Sequence, residues 1–127
     1  MAGELILIVD DNEKNVKLVR DVLRFNGYRT LEAASGEEAI TLAGRQLPDL
    51  ILMDIRLPGM DGLAAVELLK SQARTVAIPV VALTSFAMKG DRERFLAAGF
   101  DGYLEKPISV KELPDQVRHY CERRGEA

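Results

Sequence analysis

Leu5-Ile6-Leu7-Ile8-Val9-Asp10-Asp11 is a run of five apolar residues that ends in two carboxylates. A short apolar run bounded by polar residues reads as a strand buried on both faces, the kind found in parallel sheets covered by helices. The same grammar recurs at Leu50-Ile51-Leu52-Met53-Asp54, at Val80-Val81-Ala82-Leu83-Thr84 and at Tyr103-Leu104-Glu105-Lys106-Pro107. In open parallel sheets, ligands bind beyond the carboxyl ends of the strands. The pattern therefore predicts one rim carrying Asp10, Asp11, Asp54, Thr84 and Lys106.

The segments between the runs are helical. Val16, Val19, Leu23 and Leu18, Val22, Phe25 recur at helical spacing with Lys14, Lys17, Arg20, Asp21 and Arg24 among them, the mark of an amphipathic helix. Asn26-Gly27 ends it, and Tyr28 to Ala33 reads as a second strand. Ser35-Gly36-Glu37-Glu38 and Ser109-Val110-Lys111-Glu112 both match the capping box that opens a helix. Helix two runs to about Gln46. Leu57-Pro58-Gly59-Met60-Asp61-Gly62 is a turn-rich loop. Leu63, Val66 and Leu69 carry a third helix, Ile78 to Leu83 a fourth strand, Phe95 and Leu96 a fourth helix, and Phe100 to Glu105 a fifth strand. Pro114 fits the last helix poorly; its missing donor should cost one hydrogen bond or shift the helix start by a residue or two. Five strands alternating with five helices demand a parallel sheet with right-handed crossovers and helices on both faces, an α/β doubly wound fold.

Length and charge narrow the function. A chain of 127 residues is the size of one domain spanning 1–127, with no attached effector domain expected. The net charge of −3, with 17 basic residues scattered among 20 acidic ones, argues against direct nucleic-acid binding. Arg118, His119, Arg123 and Arg124 cluster near the end, where cations offset a helix dipole. The lone Cys121 excludes an intrachain disulfide and any multi-cysteine metal site within one subunit. No basic leader precedes the first apolar run and no stretch approaches a membrane span, so a cytoplasmic protein without membrane contact is expected.

The rim defines the chemistry. Two adjacent carboxylates and a third on a neighbouring strand repel one another, since unit charges ~4 Å apart interact by ~4 kcal/mol at an effective dielectric near 20. A hard divalent cation relieves this, and oxygen-only donors with no His or Cys nearby favour magnesium over zinc. A carboxylate beside magnesium can attack phosphorus to give an aspartyl phosphate. Lys106 offers a point charge for such a phosphate and Thr84 a hydroxyl donor. Asp61, Asp91 and Asp101 read as ordinary caps or solvated acids, and His119 as a surface or cap residue.

Val9-Asp10-Asp11-Asn12, Asp49 to Asp54, Leu57 to Gly62, Ala82-Leu83-Thr84-Ser85 and Lys106-Pro107 stand in an order and spacing that resemble the receiver domain of bacterial two-component response regulators. The match covers essentially the whole chain. Phe86-Ala87-Met88-Lys89-Gly90-Asp91 and Lys106-Pro107-Ile108-Ser109 look most like single-domain regulators of the DivK type. The resemblance implies a flavodoxin-like (βα)5 three-layer sandwich with strand order 2-1-3-4-5, an order for which the chemotaxis receiver is a standard example. It implies Asp54 as phosphoacceptor, Asp10 and Asp11 as magnesium carboxylates together with Asp54, and Arg56 as a ligand through its backbone carbonyl. Lys106 would pair with the carboxylate or its phosphate, and the bond to Pro107 would be cis. Thr84 and Tyr103 would form the switch, with helix four, strand five and helix five as the output face. Arg56 and Phe86 occupy positions that tune phosphate lifetime, and a bulky Phe86 predicts slow self-dephosphorylation.

The leading expectation is a phosphorylation-dependent signalling switch, not an enzyme beyond phosphorylation and dephosphorylation of its own Asp54. A histidine kinase or histidine phosphotransfer protein would donate, through helix one and the loops around the site. A downstream protein target would read the result from a monomer. Two rivals remain. A magnesium-dependent aspartyl-phosphate phosphatase of the haloacid dehalogenase kind fits worse, because that family places a second acid two residues after the nucleophile on its first strand, whereas Asp54 follows the third run and precedes Ile55-Arg56. A phosphorylation-independent interaction domain would not need the full acid, hydroxyl and lysine set.

Overall fold

In the computed structural model, residues 3–85 and 90–123 are described. The apolar runs become strands β1 (Leu5–Val9), β3 (Leu50–Asp54), β4 (Val80–Thr84) and β5 (Gly102–Glu105), joined by the more polar β2 (Arg29–Ala33). Between and after them lie α1 (Glu13–Phe25), α2 (Gly36–Gln46), α3 (Gly62–Ser71), α4 (Asp91–Ala98) and α5 (Leu113–Arg123). All pairings are parallel, in the order β2-β1-β3-β4-β5, as the alternation of elements requires.

Strand alternation divides the core into two layers, because successive side chains point to opposite faces. Ile6, Ile8, Leu50, Leu52, Val81, Leu83 and Leu104 meet Val16, Val19 and Leu23 of α1 and Leu113 and Val117 of α5. Leu7, Val9, Ile51, Met53, Val80 and Ala82 meet Ala39 and Ala43 of α2, Ala65, Val66 and Leu69 of α3, and Phe95 of α4. Every residue of β3 and β4 is buried, which is why those two runs are apolar without interruption.

Only one of the two apolar spacings on α1 is fully buried; in the other, Val22 alone packs against the core. Val16, Val19 and Leu23 are buried, whereas Leu18 is 38% and Phe25 90% exposed. Phe25 follows Leu23 by two residues, about 200° around the helix, so it faces away from the sheet.

Element ends follow local chemistry. Asn12 caps α1 by accepting from the amides of Lys14 and Asn15 at 3.0 and 3.2 Å. The Ser35 hydroxyl accepts from the Glu38 amide at 3.2 Å, while the Glu38 carboxylate reaches the Ala34 amide at 2.8 Å, one residue before the donor of an ideal capping box. At α5 the expected box forms a turn instead. Ser109 Oγ accepts from the Glu112 amide at 3.2 Å and its carbonyl from Leu113 at 2.9 Å, and the helix starts at Leu113. Pro114 thereby sits in the first turn, where its lack of an N–H costs nothing. β4 begins at Val80, after Ile78 and Pro79, and β5 at Gly102, after Phe100.

A clamp at the strand edge opposite the predicted rim accounts for these late starts. Lys70 at the end of α3 donates to the carbonyls of Val76 at 3.3 Å and Ile78 at 2.8 Å, and to Asp101 at 3.1 Å. Asp101 Oδ2 also accepts from the Val80 amide at 2.8 Å. The ammonium and carboxylate thus satisfy backbone groups where the chain enters β4.

Candidate functional site

β1 and β3 are neighbours in the sheet, with Val9 opposite Met53, so the acids that follow them emerge side by side. Asp10, Asp11 and Asp54 each offer one carboxylate oxygen, and these lie within 4.8 Å of one another. Asp10 and Asp54 are buried and Asp11 is exposed. This is the concentration of negative charge that the sequence predicts.

The surroundings hold the two buried acids in fixed orientations. Asp10 Oδ1 accepts from the Asn12 amide at 2.9 Å, and Asp54 Oδ1 accepts from the Arg56 amide at 2.8 Å. Each acid thus binds the backbone two residues on, which leaves its second oxygen for the cleft. Lys106 takes both of those oxygens, at 2.6 Å from Asp54 Oδ2 and 3.4 Å from Asp10 Oδ2. Its own backbone is fastened by a 2.8 Å bond from its amide to the Thr84 carbonyl. The following peptide bond to Pro107 is cis.

Burial pushes the Asp10 carboxyl above the ordinary carboxylate range, and the nearby Asp54 charge adds to this; the Asn12 amide and Lys106 offset only part of it. For Lys106 burial opposes the charged form, yet the bond to Asp54 and the charges of Asp54 and Asp10 outweigh it, so its ammonium is held above the usual lysine value. One cation serving two carboxylates leaves the cluster short of positive charge. The all-oxygen donor set suits a hard divalent ion such as magnesium.

Thr84 is the last residue of β4 and is buried. It lines, with Asp54, Arg56 and Lys106, a cleft of about 340 Å³. Tyr103 on β5 is half-buried, its ring edge-on to Phe95 of α4 at 6.1 Å. Arg56 is exposed at the mouth, and Phe86 lies outside the described residues. Among the residues read as structural, Asp61 accepts from the Ala64 amide at 2.8 Å as the cap of α3, and His119 is exposed beside the Tyr120 ring.

Two further residues border the cleft: Asp91, which the sequence reads as a cap or solvated acid, and Arg94, which it does not single out. Both stand in the first two turns of α4. Their spacing of three shows that they share a helix face, but no sequence rule says that this face borders the acids. The glycine at the head of α3 has a role equally hidden: Gly62 donates to the Ile55 carbonyl at 2.9 Å, and a Cβ there would stand 2.6 Å from the Asp54 carbonyl oxygen.

Comparison with known proteins agrees with this geometry. Residues 6–118 match the response regulator receiver domain family. The polar-differentiation response regulator DivK of Brucella ovis is 47% identical over 115 residues, covering 91% of this chain and 94% of that protein. A response regulator from Chloroflexus aurantiacus superposes with a TM-score of 0.90 at 33% identity, covering 95% of this chain and 99% of that one. The receiver domain of a sensor histidine kinase from Pseudomonas aeruginosa, solved with a magnesium ion coordinated in its active-site cleft, has a TM-score of 0.87 and 40% identity, with coverage of 95% and 99%. The fold, the acid cluster and the extent of these matches agree, and the chain belongs to the response regulator receiver domain family of two-component systems.

Proposed function

We propose that the chain is a phosphorylation-dependent switch that accepts a phosphoryl group on Asp54 from a phosphohistidine donor, a histidine kinase or a histidine phosphotransfer protein. In the transfer the phosphorus–nitrogen bond breaks, its electron pair staying on the imidazole, while a bond forms from phosphorus to an Asp54 carboxylate oxygen. The observation that carries this reading is the Lys106 ammonium 2.6 Å from Asp54 beside two further carboxylates. A cation fixed there meets the charge that builds on the transferring phosphoryl oxygens. The Arg56 amide orients the nucleophile through its other oxygen.

Asp10, Asp11 and Asp54, with the Arg56 backbone carbonyl, are the residues that would hold magnesium. When bound, the ion supplies the positive charge that the acids and the phosphoryl oxygens require. Phosphorylation adds up to two negative charges and three acceptors at the end of β3. Thr84 then donates its hydroxyl to a phosphoryl oxygen, and Tyr103 takes up the space that Thr84 leaves, altering the face of α4, β5 and α5 for a downstream protein. Arg56 and Phe86 tune the lifetime of that state. This reading makes 1–127 one cytoplasmic receiver unit, without nucleic-acid or membrane contact, that acts as a monomer. Among the described residues no helix is long and apolar enough to cross a membrane.

The test is to incubate the protein with magnesium and acetyl phosphate or phosphoramidate and to weigh it intact. One alkali-labile phosphoryl group is expected, and none without magnesium. Absence of any gain in mass would sink the assignment.

The same electrostatics predict an effect on stability. Asp10→Asn removes one of the crowded charges while keeping the shape and the acceptor for the Asn12 amide. Without metal, the variant is expected to be more stable than wild type by about 1 kcal/mol, since removing the cost of burying this charge, together with its repulsion from Asp54, outweighs the lost attraction to Lys106 at 3.4 Å. Millimolar magnesium should raise the melting temperature of wild type, because a ligand that binds only the folded state stabilises it, and should do far less for the variant. Thermal denaturation with and without magnesium measures both; an equal magnesium shift in the two proteins would exclude Asp10 as a ligand.

A further inference from the structure

The cleft beside Asp54 carries a cation on α4 as well as those on the strand ends. Arg94 lines it together with Asp54, Arg56, Thr84, Asp91 and Lys106. Its guanidinium is held there by two weak local contacts. One is Asp91 at 3.8 Å, a partly exposed pair one helical turn away, and the other is the ring of the adjacent Phe95, 5.4 Å below it. Pairs at this spacing on a helix surface, and exposed cations over a ring, are both weak contacts. Little anchors Arg94 to its present partner.

An aspartyl phosphate changes the balance. It places up to two negative charges and three acceptor oxygens in the cleft, where Lys106 is already shared between Asp54 and Asp10. A guanidinium presents a planar fork of donors that matches phosphate oxygens two at a time, which the rounded ammonium of Lys106 does not. We propose that Arg94 is a phosphoryl-binding residue of this receiver: on phosphorylation of Asp54 its guanidinium leaves Asp91 and closes on the phosphoryl oxygens. The proposal rests on the reading of Asp54 as phosphoacceptor and adds a direct bond from phosphate to α4.

That bond has a mechanical consequence. Phe95 follows Arg94 in the chain and is buried between two spaces. It lines the phosphoacceptor cleft on one side and, with Tyr103, Gly102 and Tyr120, a groove between α4 and α5 on the other. Its ring lies edge-on to both Phe100 and Tyr103 at 6.1 Å. A pull on Arg94 therefore reaches the Tyr103 ring through one packed aromatic, in parallel with the hydroxyl of Thr84.

The test uses trifluoroberyllate, which adds to a carboxylate as a stable stand-in for a phosphoryl group, titrated into the magnesium-loaded full chain by calorimetry or fluorine NMR. Arg94→Gln is expected to weaken trifluoroberyllate binding about tenfold, and Arg94→Lys, which keeps the charge but loses the fork, about threefold. Magnesium affinity and melting temperature should remain those of wild type. Arg92→Gln removes the same charge from the same helix but faces the other groove, and is expected to bind as wild type does. Wild-type affinity in Arg94→Gln would overturn the proposal. So would an equal loss in Arg92→Gln, because the effect would then be general charge and not contact. If wild type itself fails to bind trifluoroberyllate, or Asp54→Asn binds it equally, the phosphoacceptor reading falls and Arg94 with it. Binding by wild type but not by Asp54→Asn keeps that reading whatever Arg94 does.

Discussion

Asp54→Asn is expected to abolish phosphoryl uptake completely while leaving the fold intact. The amide keeps the carboxylate's shape, and its oxygen can still accept from the Arg56 amide, now 2.8 Å from Oδ1. It removes the oxygen nucleophile, because an amide oxygen with no negative charge does not form a stable bond to phosphorus. Stability should change little. The lost charge-assisted bond to Lys106 is worth about 1.5–3 kcal/mol, but the same substitution ends the repulsion between Asp54 and the buried Asp10, whose carboxyl is raised in part by that charge. The two effects offset to within about 1 kcal/mol, and Lys106 retains Asp10 as a partner at 3.4 Å. Intact mass after treatment with acetyl phosphate, read beside circular dichroism, separates loss of the acceptor from loss of the fold. Equal mass gain in the variant would place the acceptor elsewhere.

Gly62→Ala should be the most damaging small substitution near the site. A methyl group there would lie 2.6 Å from the Asp54 carbonyl oxygen and 2.9 Å from the Ile55 Cα. Both are backbone atoms of the segment that carries the phosphoacceptor, so neither can yield as a side-chain tip would. Either α3 moves away and loses the 2.9 Å bond from the Gly62 amide to the Ile55 carbonyl, or the end of β3 moves and takes Asp54 from Lys106. Overpacking of this kind typically costs 1–3 kcal/mol and occasionally more. With rigid backbone on both sides we expect about 3 kcal/mol in urea denaturation, together with slower phosphoryl uptake. Gly44→Ala supplies the contrast. Gly44 sits in α2 with nothing within 4 Å of an added Cβ, and alanine there should stabilise by about 0.5–1 kcal/mol. A Gly62→Ala variant as stable as wild type would show that the approach of α3 to β3 is loose.

Much of the architecture was legible because its determinants are local. Short runs such as Leu50 to Met53, bounded by polar residues, read as strands buried on both faces, and their alternation with amphipathic segments leaves a parallel sheet covered on both sides. The caps at Ser35 and Asp61 are short-range hydrogen bonds within three residues, so residue type and spacing suffice to find them. The acids were legible for a related reason: in a parallel sheet every strand ends at the same rim, and Asp10, Asp11, Asp54, Thr84 and Lys106 all follow strands or end them.

Other features depended on how the layers meet. The helical spacing of α1 does not say which of its apolar positions are buried, and only its packing on the sheet buries Val16, Val19 and Leu23 and leaves Phe25 exposed. Pro114 became acceptable once the preceding turn delayed the helix start. Asp91 and Arg94 had no distinguishing local pattern, and they join the site because α4 packs beside β4 and β5 with that face toward Asp54. By itself, the sequence determined the strands, the sheet and the rim on which the reactive groups stand, since these follow from periodicity and chain order. The tertiary structure alone decided which oxygen of each acid Lys106 binds, why residue 62 has no side chain and which cation of α4 borders the phosphoacceptor, because those depend on distances of a few ångströms between segments far apart in the chain.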